Sequence, residues 1–181
     1  MNNDNDNAKE SLAALTRTAM HIKTAVESQD SSLFKRLFSA QAQINIKGRF
    51  YSQNTFFELV DSFIEKTERP SMAFYRIEEI NFQNPEAFAT YAISLSWVDA
   101  EAWEERSMTG LLSLTLNKKK ERLLFNKKAN WLIEGFSLTE IPVTKEEKSE
   151  TGLSPGELSS TTFDLAQQGS ETSEDFYNFL V

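Results

Sequence analysis

Glu79 lies two residues from Ile77 and four from Tyr75, so on a strand the three side chains share one face. A carboxylate among apolar and aromatic neighbours has its pKa raised by desolvation. It can then take or give a proton near neutral pH, and a tyrosine beside it is a natural partner. Asp99 ends a strand-like pattern, where it would guard the mouth of a pocket. Asp61 and Glu78 are the other acids in partly apolar surroundings. An acid is more often found on a solvated face. Glu79, Tyr75 and Asp99 are therefore the candidate catalytic residues, with no committed reaction.

Other chemistries are poorly supplied. His21 is the sole histidine, with no partner identifiable in the sequence, and a non-catalytic position is expected for it. No His, Asp and Glu residues recur with metal-ligand spacing. With no cysteine, the chain has neither disulfides nor thiolate ligands nor a sulfur nucleophile. No cofactor and no metal are expected. Tyr51, Tyr75, Tyr91 and Trp97 could line a pocket for a small apolar ligand. Trp131 reads as core. Trp103 sits in a charged connection and reads as an exposed interaction residue. Lys118, Lys119, Lys120, Arg122, Lys127 and Lys128 gather near one hairpin tip, most simply as a solubilising surface.

The charge distribution narrows the partners. The net charge is −8, and residues 144–181 hold eight acids and two bases, or −6 of it. The rest is nearly balanced, which argues against a nucleic-acid binder. The polar N-terminus lacks a basic and an apolar region, and no apolar run is long enough for a bilayer. A cytoplasmic protein without membrane contact is expected.

The elements that would position these residues follow from periodicity. Residues 8–28 form an amphipathic helix through Leu12, Leu15, Ala19, Ile22 and Val26. Asp30-Ser31-Ser32 offers an N-cap for a short helix that buries Leu33, Phe34, Leu37 and Phe38. Residues 43–47 form a short strand, and Gly48 a turn. Thr55 and Glu58 have capping-box spacing before a helix that Arg69-Pro70 ends. Strands follow at 72–82, 87–98, 106–117 and 131–139. Their short connections favour an antiparallel meander. In the second strand Tyr91, Ile93, Leu95 and Trp97 share a face. In the third, Met108, Leu112, Leu114 and Leu116 do. In the last, alternation sets Trp131 and Ile133 against Leu132, Glu134 and Phe136. The expected organisation is a disordered N-terminus at 1–7, one domain at 8–142 and an acidic, mostly disordered tail at 143–181. Within the tail, residues 174–181 place Phe176, Tyr177 and Phe179 beside acids and read as a docking segment.

Two segments resemble a known family. Ile44-Asn45-Ile46-Lys47-Gly48 followed by Tyr51-Ser52-Gln53-Asn54-Thr55-Phe56 resembles the strand, turn and capped helix of NTF2-like (SnoaL-like, cystatin-like) proteins. Residues 130–138, with Trp131 and Ile133, resemble that family's closing strand. The resemblance implies an α+β fold in which N-terminal helices pack in the concavity of a curved antiparallel sheet, forming a cone. In the enzymatic members a general base commonly lies on or near the short first strand, where this chain has Ile44, Asn45 and Ile46. The resulting expectation is a non-enzymatic interaction or assembly domain that dimerises through its sheet and meets a protein partner through its acidic tail. The alternative is a ligand-binding or isomerase/dehydratase-like protein with a carboxylate in the cone.

Overall fold

A computed structural model describes residues 3–120 and 129–141. Arg122, Lys127 and Lys128 of the hairpin tip lie outside these residues. So does the 143–181 tail, with Phe176, Tyr177 and Phe179. Helix α1 spans Asn3–Glu27, starting ahead of the expected residue 8. Its buried stripe is Ser11, Ala14, Leu15, Thr18, Ala19, Ile22 and Ala25. Leu12 is exposed, so the stripe is narrower than hydrophobicity alone suggests.

Of the expected cap residues it is Asp30 that caps α2 (Ser31–Lys35), accepting from the Leu33 N–H at 2.9 Å. Phe38 is buried but opens strand β1 (Phe38–Ile46) instead of closing the helix. β1 turns at Lys47-Gly48, both at positive φ, into β2 (Arg49–Tyr51). Two positive-φ residues are what a tight primed hairpin needs. Asn45 steadies the turn by accepting from the Gly48 N–H at 3.0 Å. Helix α3 (Gln53–Lys66) is capped by Ser52, whose hydroxyl accepts from the Thr55 N–H at 3.2 Å. Thr55 is thus inside the helix, and the expected box with Glu58 is not the cap.

β3 (Thr67–Gln83) starts immediately after α3 and runs through Arg69-Pro70. Arg69 has positive φ, and the pairing slips between Glu68 and Ser71. A bulge tolerates proline because no ladder N–H is required there. β4 (Glu86–Asp99), β5 (Glu105–Lys120) and β6 (Ala129–Glu140) complete the antiparallel meander. The Asn84-Pro85 bond in the β3–β4 turn is cis. The sheet order is β2-β1-β6-β5-β4-β3, with β1 parallel to β6. The fold is α+β, with helices against one face of a curved, mostly antiparallel sheet, as expected.

Two corrections concern β6. Leu116 pairs with Ile133 and Thr115 with Gly135, leaving Glu134 as an extra residue. A bulge of this kind reverses the alternation. Ile133 and Phe136 therefore both face the core, although they fall on opposite faces of a regular strand. Glu134 turns aside to accept from the Asn117 amide at 3.1 Å. A Cβ on Gly135 would lie 2.8 Å from the Thr115 hydroxyl oxygen, so the bulge needs its glycine. Trp131, expected in the core, is half-buried at its rim, its ring 5.9 Å from the Lys118 ammonium.

A polar clamp fastens α1 to β3. Glu27 accepts from the Lys23 ammonium at 2.5 Å and from the Met72 N–H at 3.1 Å, and Lys23 also donates to the Met72 carbonyl. The Lys23 bond, aided by the Met72 N–H, holds the Glu27 carboxyl below its ordinary 4.5. A depressed carboxylate stabilises the fold above its unfolded-state pKa, and that contribution is lost as pH falls through the folded value. Glu27→Gln should lower the urea midpoint at neutral pH and reduce its further fall below about pH 5. Parallel pH curves for the two chains would show that the clamp contributes nothing.

Candidate functional site

Between α1, α3 and the sheet lies a cavity of about 100 Å³. α1 contributes Ile22 and Ala25, α3 contributes Phe56, Val60 and Phe63, and the sheet contributes Met72, Ile93, Leu112 and Phe136. Every lining residue is apolar. Beside it Phe34, Phe38, Phe56 and Phe136 form one aromatic cluster with ring centroids 5.2–6.2 Å apart in tilted and edge-on contacts. Such geometries add to simple area burial. The amphipathic pattern of α3 places Phe56 and Phe63 correctly. The closure of the cavity by Phe136 depends on the β6 bulge.

None of the candidate catalytic side chains lines this cavity. Residues 75–81 of β3 are exposed on both faces, Tyr75 at 67% and Glu79 with it. Pairing slips between Phe74 and Arg76 and between Ile77 and Glu79 break the alternation that would have aligned Tyr75 with Glu79. Glu78 pairs with Arg76 at 2.5 Å, and Asp61 with Lys35 at 2.6 Å. Asp99 is only 7% exposed, but its carboxylate is engaged in structure. It accepts from the backbone N–H groups of Glu101 at 2.9 Å and Ala102 at 2.8 Å, shaping the β4–β5 connection.

The aromatic candidates separate in the same way. Tyr91 and Trp97 are buried and share the inner face of β4, as expected, but neither lines the cavity. Tyr91 packs edge-on against Phe74 at 5.3 Å, and burial pushes its hydroxyl up to about 12. Trp97 packs edge-on against Phe63 at 5.5 Å. Its indole N–H and the Nε of its cross-strand neighbour Arg106 have no hydrogen-bond partner among the described residues. Tyr51 is half-buried on β2, away from the cavity lining. Trp103 is 70% exposed and at positive φ, the exposed aromatic that its charged surroundings implied. Among the described residues no three His, Asp or Glu side chains meet as a metal site, and no helix is long and apolar enough to cross a membrane.

Comparison with known proteins rests on shape. The sequence matches no protein-family model, and no curated protein matches it. Solved structures do. An NTF2-like superfamily protein from Salmonella enterica aligns over 83% of this chain and 99% of its own, at 15% identity and a TM-score of 0.63. The chain has the NTF2-like fold. A putative scytalone dehydratase from Novosphingobium aromaticivorans shares it, covering 76% of this chain and 88% of its own at 11% identity and TM-score 0.65. So does a putative calcium/calmodulin dependent protein kinase II association domain from Xanthomonas campestris, covering 74% and 87% at 13% identity and TM-score 0.55. These identities establish the NTF2-like architecture alone, and function has to be argued from the site.

Phe136 joins the cluster, the cavity wall and the bulged strand. Phe136→Ala is expected to cost about 3–5 kcal/mol by transfer and cavity terms, measured by urea unfolding. A loss within about 1 kcal/mol would mean that the wall collapses into the space and the cluster does not hold the cone.

Proposed function

We propose that this chain works without catalysis, as an NTF2-like interaction domain that pairs with a second copy through the outer face of its sheet. The observation that carries this reading is the wholly apolar lining of the cone. Acid–base chemistry needs a titratable group within hydrogen-bond reach of the substrate. Glu79 and Tyr75 are exposed on β3, and the Asp99 carboxylate is engaged by two backbone N–H groups. The neighbours of this fold include a putative dehydratase and a putative association domain, and the apolar cone favours the second kind of role.

The outer face suits pairing. Ala92, Ser94, Leu111, Ser113, Thr115 and Ser137 alternate with the buried residues of β4, β5 and β6 and are at most half-exposed. Short side chains make a flat surface that another sheet can approach closely. Thr90 and Ser113 already bond across it at 2.9 Å. A stable pair needs about 800 Å² from each partner, within reach of three long strands. Leu111→Arg should convert a dimer into a folded monomer, read by light scattering at micromolar concentration. A native chain that is already monomeric there would sink the pairing.

The cavity also supports a narrower second reading, a small apolar guest without chemistry. Its volume is below the roughly 300 Å³ of an ordinary ligand pocket but near that of engineered cavities that hold benzene. A benzene-sized hydrocarbon should then raise the thermal midpoint in a dose-dependent way, whereas an unchanged midpoint at saturation would exclude it.

A further inference from the structure

Where α1 crosses the α2–β1 connection and the start of β6, a second cleft opens, of about 130 Å³. It is lined by Arg17, Thr18 and His21 from α1, by Arg36 ahead of β1, and by Asn130 and Trp131 from β6. No acidic residue lines it, although the chain as a whole carries −8. Arg36 is oriented by Ser32, donating from Nε to its carbonyl at 3.1 Å and from Nη2 to its hydroxyl at 3.2 Å. Its remaining donors are left for another acceptor. Arg17 makes no ion pair or hydrogen bond among the described residues. Thr18 adds a hydroxyl to the same wall. It is only 7% exposed, it lines the cleft, and its hydroxyl has no hydrogen-bond partner among the described residues. The hydroxyl is not buried itself but opens into the cleft, where it adds one more polar group to the wall.

The cleft combines guanidinium donors with an apolar side made by Trp131 and Leu37. Its complement is a group of carboxylates next to aromatic rings. Residues 171–181 of this chain supply that pattern: Glu171, Glu174 and Asp175 stand beside Phe176, Tyr177 and Phe179. Residues 144–181 carry a net −6, opposite in sign to this cleft, which has two arginines and no acid in its lining. Reach is ample. β6 carries the chain from the cleft to Ile141 over roughly 40 Å. The 29 residues from 142 to 170 span at most about 105 Å when extended. Tethering also supplies a millimolar effective concentration, enough to populate a contact that would be weak between separate molecules.

We propose that the C-terminal segment, residues 171–181, docks by its carboxylates on the Arg17–Arg36 cleft of its own domain. The contact is a reversible latch, set by charge and loosened by salt. The chain has no cysteine, so Ser170→Cys in the full-length protein gives a single site for a nitroxide label. Amide signals of residues 14–21, 36–37 and 130–132 should lose more than half their intensity. The loss should disappear in Arg17→Glu/Arg36→Glu, persist in Arg17→Lys/Arg36→Lys, and disappear at about 1 M salt, where the screening length is about 3 Å. Absence of local broadening would overturn the proposal, as would broadening unchanged by charge reversal. Equal broadening when label and isotope are on different copies would also overturn it, placing the segment on a second molecule.

Discussion

The two halves of the sheet meet at β6, and the extra residue at Glu134 is what lets one strand serve both. On one side β6 follows β5 antiparallel, and on the other it runs parallel to β1. The bulge turns Ile133 and Phe136 to the same side, so that β6 presents apolar bulk to the helices at two consecutive levels. It also bends the strand, which is how a sheet comes to wrap helices instead of lying flat beneath them. Two glycines keep the packing around β6 close. Gly135 makes room for Thr115, and a Cβ on Gly110 would come within 2.5 Å of the Thr139 carbonyl oxygen.

Among the described residues, the charge pairs are arranged around this apolar interior. Glu10 meets Lys118 at 2.7 Å, Asp61 meets Lys35 at 2.6 Å, and Glu140 meets Lys47 at 2.6 Å. Each pair joins two different elements, yet each keeps a quarter or more of at least one side chain in water. Pairs of this kind contribute at most about 1 kcal/mol. Burying one phenylalanine contributes about 1.5–3 kcal/mol. The first two pairs therefore help to choose the orientation of the helices, while the phenylalanine cluster determines whether they stay.

Legibility in the sequence followed regularity. β4 and the inner face of β5 alternate without interruption, so Tyr91, Ile93, Leu95 and Trp97, and likewise Leu112, Leu114 and Leu116, could be placed on one face of their strand from spacing alone. Asp30-Ser31-Ser32 was recognisable as a cap, but all three residue types can cap, so the choice of Asp30 came only with the structure. Ser52 was obscured by Thr55, which sits three residues later in equally plausible spacing. The failures fall where the pairing slips. Glu79 and Tyr75 lose their shared face to two slips in β3, and Phe136 changes face at one in β6. Asp99 could be placed at a strand end, but not its capture by two backbone N–H groups. Both cavity and cleft are assembled from residues far apart in the chain, so no local pattern announces them.

The irregular course of β3 has a consequence beyond its stray side chains. This seventeen-residue strand forms an open edge of the sheet, with Tyr75, Ile77 and Ile80 exposed along it. A straight edge of that length and character would be a template for uncontrolled strand addition and fibre growth. Three slips, one left-handed arginine and a proline interrupt the row of hydrogen-bonding groups before any long run can form. The disorderly edge thus acts as a guard against aggregation in a chain that has fourteen phenylalanines to conceal.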